Sequence, residues 1–508
     1  MRDVTWLFER RAANADAVAV IDDDGTHTAR ELLTAAAYVT EALREFAGTA
    51  PTVLVQAENS WRAVAAALAV GQLGGTVAVA SGHTTPAEFA AICEDVRPDA
   101  VLAEPGAFAA WQVPQALAGR VLDNAVLDGW QVGVTADPRG SDRWGGGVLI
   151  GLTSGSTGRP KGVVQSEAAL RYAAEQEIAI SGLVDGDPVA AIVPLSSTAA
   201  FCFGVYAALL LGGPLVLWRR WDPPAVLDRM ESTGARWTMC VPTQVLQLGD
   251  AVAEHRVGRP LERMRSITVG GGPMRLEALR RAEQRLGTRI LRAFGMSECL
   301  GHTSPRLADP AEVRLGTDGR PFPGTDVRAV GLDGRALAPG QAGAAQVRGP
   351  SLFLGYAGDG ALVPVALTPD GFFPTGDLVS VAEDGTVRVT GRIKDQIIRG
   401  GRNIDVVEVE DALAANPRIE QVCVVAVPDD ILGERVAALV VTSDAEAALL
   451  ADITAHLSEV GLAKTKWPEY VFRVPEIPQT RVGKVAREEA RRLALSLRED
   501  DRARAAGT

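Results

Sequence analysis

Short apolar runs alternate with stretches of helical periodicity through most of the chain. Residues 51–56, 76–80 and 100–103 are apolar runs of strand length. Between them, 61–73 and 85–93 carry apolar side chains at helical spacing. This order predicts a parallel sheet covered by helices. The rhythm returns after Gly147, with strands expected over 148–152, 189–194, 215–218, 237–241 and 266–269 and a helix over 167–179. From about 316 to 390 helical periodicity fades, and short β runs at 326–330, 344–347 and 387–390 lie between Asp-Gly and Pro-Gly turns. After Gly391 the texture changes again. Val406, Val409 and Leu413 share one helix face, strands follow over 422–427 and 436–441, and 445–457 reads as a helix. The expected fold is α/β. A large N-terminal domain, 1–392, holds two α/β lobes and a β-rich subdomain at about 316–390. A small, mobile α+β C-terminal domain follows over 393–508. The charged tail after Leu497 reads as frayed.

Composition narrows the function class. A chain of 508 residues exceeds what one core holds. Apolar residues at 47% and charged residues at 22% suit a globular protein. A net charge of −12 argues against a nucleic-acid partner, which needs a basic face. No uninterrupted apolar stretch reaches roughly 18 residues, so no membrane span is expected. The N-terminus lacks a secretory h-region. The five cysteines are scattered without a CxxC pair and read as reduced thiols of a cytoplasmic protein. The five histidines are isolated, which disfavours zinc.

The strongest local signal follows the expected strand at 148–152. Thr153, Ser154, Gly155, Ser156, Thr157 and Gly158 form a loop of glycines and hydroxyls, and Lys161 closes it. Glycines let backbone N–H groups approach anionic oxygens. Hydroxyls and a lysine add donors, each charge-assisted bond contributing about 1.5–3 kcal/mol. The loop suits a polyphosphate. It is not a Walker A motif, because Lys161 stands between Pro160 and Gly162.

With this loop in view, the chain resembles the adenylate-forming superfamily of acyl-CoA synthetases, peptide-synthetase adenylation domains and luciferases. Further segments match in order. Gly270, Gly271, Gly272 and Pro273 resemble the turn that contacts adenine, and Gly270 also lies where the acyl group enters. Phe294, Gly295, Met296, Ser297 and Glu298 resemble the aromatic-Gly-x-Thr/Ser-Glu segment, although Phe294 replaces the usual Tyr. The resemblance implies that Phe294 stacks on adenine, Ser297 meets the α-phosphate and Glu298 holds Mg²⁺. The segment around Gly355 and Tyr356 resembles a β-motif taken as scaffold. Asp377 resembles the carboxylate that grips the ribose hydroxyls. Arg392 would contact ribose or phosphate, Lys394 would be the hinge, and Gly400, Gly401 and Arg402 would line the path of a thiol. Lys484 resembles the terminal catalytic lysine, with Val482 where Ser or Thr is usual.

What the resemblance implies is an acid–thiol ligase using ATP, Mg²⁺ and coenzyme A. A carboxylic acid attacks the α-phosphorus of ATP, and the acyl group then passes to coenzyme A. Ser197 and Thr198 stand near the acyl group, where many relatives carry His or an aromatic. With Ala199 and Ala200 they leave room for a bulky apolar acid. The absence of an acidic residue in Phe201-Cys-Phe-Gly204 disfavours a free amino acid. Three alternatives stay open: thioesterification of an acyl-adenylate supplied by another enzyme, transfer to a carrier-protein thiol, and nucleotide binding without turnover.

Overall fold

The structure is a computed structural model. It describes residues 6–9, 17–46, 50–122, 125–154, 159–255, 261–272, 274, 276–444, 450–480 and 484–506. Among them, two nine-stranded sheets, a four-stranded sheet and a five-stranded sheet carry the fold. The protein is mixed α/β, with a large N-terminal domain and a small C-terminal one.

The first large sheet is parallel at its centre, where Thr76–Ala80 lies between Thr52–Gln56 and Gly147–Ser154. Thr52–Gln56 and Thr76–Ala80 are buried at every position, which is why both read as unbroken apolar runs. Helix Trp61–Gln72 covers the sheet with a face made mostly of alanine and valine. Helix Pro86–Val96 starts one residue later than periodicity suggests, because Thr85 and Glu88 form a capping box. The second large sheet runs parallel through Leu215–Leu217, Val189–Ala191, Trp237–Cys240, Ser266–Gly270 and Arg289–Met296.

Two features depart from the sequence reading, and one lies in a segment it left unassigned. Val18–Asp22, the first described strand, pairs with Leu215–Leu217 and so joins the second sheet. Gly355–Gly358 and Ala361–Pro364 lie inside the expected β-rich stretch but extend the first large sheet, through pairing with Pro160–Ser166. Arg320–Pro321 joins the edge of the second large sheet, and Asp326–Val330, Ala342–Arg348, Phe373–Val381 and Val387–Arg392 form the four-stranded antiparallel sheet. The tail is not frayed at Leu497. Helix Arg487–Ala506 runs through it, anchored by buried Ala490 and Ala494 one turn apart.

In the C-terminal part, Gln421–Asp429 and Gly433–Val441 form the central hairpin. Helix Val406–Ala414 buries Val406, Val409 and Leu413 against it, as their spacing predicts. Of the helix expected at 445–457, residues 445–449 lie outside the described ones, and Leu450–Glu459 is helical.

Candidate active site

The loop expected to hold phosphate joins the antiparallel strands Gly147–Ser154 and Pro160–Ser166, with Thr153 opposite Lys161. Gly155, Ser156, Thr157 and Gly158 lie outside the described residues, as does Pro273. Lys161 Nζ stands 5.5 Å above the Tyr356 ring, a cation–π contact. The Tyr356 hydroxyl donates to Glu298 Oε1 at 2.9 Å. Burial, and then the Glu298 charge, push the phenol pKa upward. The Ser297–Glu298 turn is pinned on two further sides. Gln165 Nε2 donates to the Ser297 carbonyl at 2.7 Å, and Phe353 N–H donates to the Glu298 carbonyl at 2.8 Å. The structure thereby joins Lys161, Ser297 and Glu298 through Tyr356 and Gln165. Sequence reading set Tyr356 aside as scaffold and passed over Gln165.

Strand Arg289–Met296 connects this group to a second one. It places Ala293 opposite Gly270 and leads directly into Ser297. Half-buried Phe294 meets His302 edge to face at 4.6 Å and packs on the four-stranded sheet. Gly271 turns the chain at φ +84°, a conformation that disfavours a side chain. A methyl group built on it would lie 2.7 Å from both Cε and Nζ of Lys484. The C-terminal lysine therefore already stands in the cleft. Gly272 rests near Pro242.

Lys484 is held by backbone contacts with Thr480: Thr480 N–H donates to the Lys484 carbonyl at 2.6 Å, and Lys484 N–H donates to Thr480 Oγ1 at 3.1 Å. The side chain still meets solvent, yet the protein around it displaces water from the ammonium. That desolvation, reinforced by the Arg392 charge and opposed by Asp377, holds its pKa below the ordinary lysine value. Asp377 and Arg392 are cross-strand neighbours, and Arg392 Nε donates to Asp377 Oδ1 at 2.8 Å. Burial raises the Asp377 pKa, while Arg392 pulls it back. Arg487, three residues beyond Lys484 at the start of the final helix, donates to Glu410 Oε1 and to the Val424 carbonyl, each at 2.6 Å. It also faces Asp395 at 3.5 Å. These contacts fasten the lysine segment to the helix and strand beneath it.

Not every expected residue joins these groups. The Ser197 side chain accepts from Ala200 N–H and caps a helix. Thr198 is buried, and a Cβ on Gly151 would overlap its Oγ1. Lys394 is exposed in a single turn, Ile393–Asp395. Gly400 and Gly401, both at positive φ, make the tip of a hairpin between Ile397–Arg399 and Arg402–Ile404. Gly400 packs near Leu432 of its own domain, and Arg402 is exposed.

The AMP-binding enzyme family matches residues 7–357, and the C-terminal domain of AMP-binding enzymes matches 408–484. The chain belongs to this family. This AMP-binding enzyme is 36% identical over 345 residues to a salicylyl-CoA synthase / salicylate adenylyltransferase from a Streptomyces species, an alignment covering 67% of the chain and 62% of that protein. It thus spans less than two thirds of that relative. A long-chain-fatty-acid–CoA ligase from Thermus thermophilus is 32% identical over 459 residues, 84% of this chain and 82% of the ligase. ATP-bound MatB from Rhodopseudomonas palustris superposes with a TM-score of 0.81 at 26% identity, over 97% of this chain and 99% of that one. The enzyme is therefore of the adenylate-forming ligase class. No helix among its described residues is long and apolar enough to cross a membrane.

Proposed function

We propose that the enzyme uses ATP to activate a carboxylic acid as an acyl-adenylate and passes the acyl group to the thiol of coenzyme A. The observation that carries this reading is the meeting of Lys484 with Gly271, beside Arg392 and Asp377. The relatives named for salicylate adenylylation and for fatty-acid ligation to coenzyme A support the same two-step chemistry.

In the first step a carboxylate oxygen bonds to the α-phosphorus of ATP, and the bond to pyrophosphate breaks. Two anions must meet, so positive charge aimed at the α-phosphate lowers the barrier. Lys484 supplies it, with Ser297 donating beside it. The loop 153–161 receives the departing pyrophosphate, and Lys161 offsets its charge. Phe294 offers a ring face to adenine next to the Gly270–Gly272 turn, and Asp377 accepts from the ribose hydroxyls with Arg392 alongside. Glu298, oriented by Tyr356, fits a magnesium ligand, since a carboxylate suits a hard cation. Bound there, magnesium would neutralise phosphate charge.

In the second step the thiol sulfur attacks the acyl carbon and the bond to AMP breaks. The thiol proton is lost, and AMP leaves as an anion. Lys484 has to withdraw for this. A pivot at Lys394, between a domain of residues 1–392 and one of 393–508, would bring the Gly400–Arg402 hairpin toward the cleft.

The test is a carboxylic-acid panel assayed for ATP–pyrophosphate exchange and for acyl-CoA formation. At least one acid is expected to support both. Exchange without acyl-CoA would move the acceptor elsewhere, and the lack of either with every acid would contradict the reading.

A further inference from the structure

We propose that Arg487 is a positioning residue for Lys484, and that it acts by locking the turn Ile393–Asp395 onto the small domain. The proposal rests on the adenylate-forming reading and deepens it, by naming what sets the lysine's place in the first step.

Lys484 stands on a short antiparallel turn. Gln479 and Val485 bridge its two arms, and Ala486 N–H donates to the Pro478 carbonyl at 2.8 Å. These backbone contacts shape the turn without fixing where it points. One arm leaves from buried Ile477, and the other runs into the final helix, whose first residue is Arg487. Three residue steps from Lys484 to Arg487 span at most about 10 Å. A displacement of the guanidinium therefore reaches the ammonium.

The guanidinium joins three pieces of chain. It forks onto Glu410, with Nη1 to Oε1 at 2.6 Å and Nη2 to Oε2 at 3.3 Å. Nη1 also donates to the Val424 carbonyl at 2.6 Å, while Val424 N–H donates to the same Glu410 Oε1 at 2.7 Å. This arm ties helix Val406–Ala414 to strand Gln421–Asp429. The other arm reaches Asp395, with Nε 3.5 Å from Oδ2. Both side chains of that pair are largely shielded from water, where ions screen a pair less than at the surface.

The first arm serves the small domain's own fold. The second does something else. All three residues of the turn Ile393–Asp395 are at least partly exposed, so apolar packing does not hold it. Burial, and to a lesser degree the Asp395 charge, raise the Asp377 pKa, so the two carboxylates face each other next to the hinge. Arg487 supplies the charge that keeps Asp395 in place there. With Asp395 fastened, play between the domains is confined to the residues ahead of it. Without that arm the domain gains slack, and Lys484 loses its register with Gly271. A misplacement of about 1 Å can cost about 10²-fold in rate.

The pair lies on the small-domain side of a pivot at Lys394, so a rotation for thiol transfer carries it along unbroken. The Gly400–Gly401 hairpin is held separately. Gly400 N–H donates to the Leu432 carbonyl and Ile398 N–H to Glu434 Oε2, each at 2.8 Å. Loss of the Arg487–Asp395 arm is therefore a defect of the first step.

The experiment measures ATP–pyrophosphate exchange, and acyl-CoA formation from a supplied acyl-adenylate, in wild type, Asp395→Asn and Arg487→Lys. Lysine keeps a charge for Glu410 but cannot fork to Asp395 as well. Both variants should lose about 10-fold or more in kcat for exchange and keep acyl-CoA formation near the wild-type rate. Placed in Lys484→Ala, Asp395→Asn should cost no further exchange, because the group it positions is gone. Equal losses in both half-reactions, or a full additional loss in the Lys484→Ala background, would overturn the proposal. If Arg487→Lys fails to fold, Asp395→Asn decides alone, since it leaves the Glu410 arm intact; unchanged exchange in that variant would overturn the assignment. Wild type without exchange for any acid would instead defeat the adenylation reading, and this proposal would fall with it.

Discussion

Lys484 and Gly271 meet across the cleft: the lysine Cε and Nζ each lie 2.7 Å from the point where a Cβ on Gly271 would stand. One residue comes from the last described loop before the final helix, and the other from a turn at the end of a parallel strand. No local interaction brings them together. Their contact is the structural basis for reading the two parts of the chain as one active site.

This contact makes Gly271→Ala informative. The added methyl displaces the ammonium, and φ +84° costs an alanine about 1–2 kcal/mol. Adenylation should fall about 10- to 100-fold, while acyl transfer from a supplied adenylate falls much less. Pyrophosphate exchange measured beside acyl-CoA formation checks this. Equal losses in both would show that the methyl acts by general destabilisation.

The depressed Lys484 pKa gives a pH dependence with a definite sign. Desolvation and Arg392 favour the neutral amine. The protonated form is the one that attracts phosphate. ATP affinity should therefore be full just below the depressed value and decline as pH rises through it, earlier than for an ordinary lysine. Lys484→Met should remove that limb. Isothermal titration across pH reads it, and an ATP affinity with the same pH profile in both proteins would refute the assignment.

Tyr356→Phe removes the hydroxyl that orients Glu298 and keeps the ring beneath Lys161. A hydrogen bond to a charged group contributes about 1.5–3 kcal/mol. The variant should lose roughly 10- to 100-fold in kcat/KM and need more magnesium for half-maximal rate. A magnesium titration of the initial rate decides the point, and an unchanged midpoint for magnesium would separate Tyr356 from Glu298.

Much of the fold was legible because parallel strands buried on both faces must be apolar. Thr76–Ala80 and Ala100–Ala103 form where the apolar runs predict. Pairing across distance was not legible. Nothing local sends Val18–Asp22 to the second sheet, or Gly355–Gly358 out of the β-rich stretch to lie beside Pro160–Ser166. The final helix escaped because its buried stripe is built from small Ala490 and Ala494 among many charges. At the site, the motif residues were read from resemblance and local chemistry. Tyr356, Gln165 and Arg487 meet the motif residues through tertiary contacts, which no local pattern shows.

The most direct test of the account is Lys484→Ala assayed in both half-reactions. The account predicts that ATP–pyrophosphate exchange with a productive acid falls by about 10²–10³-fold or more, while acyl-CoA formation from a supplied acyl-adenylate continues near the wild-type rate. Exchange at the wild-type rate in that variant would contradict the account.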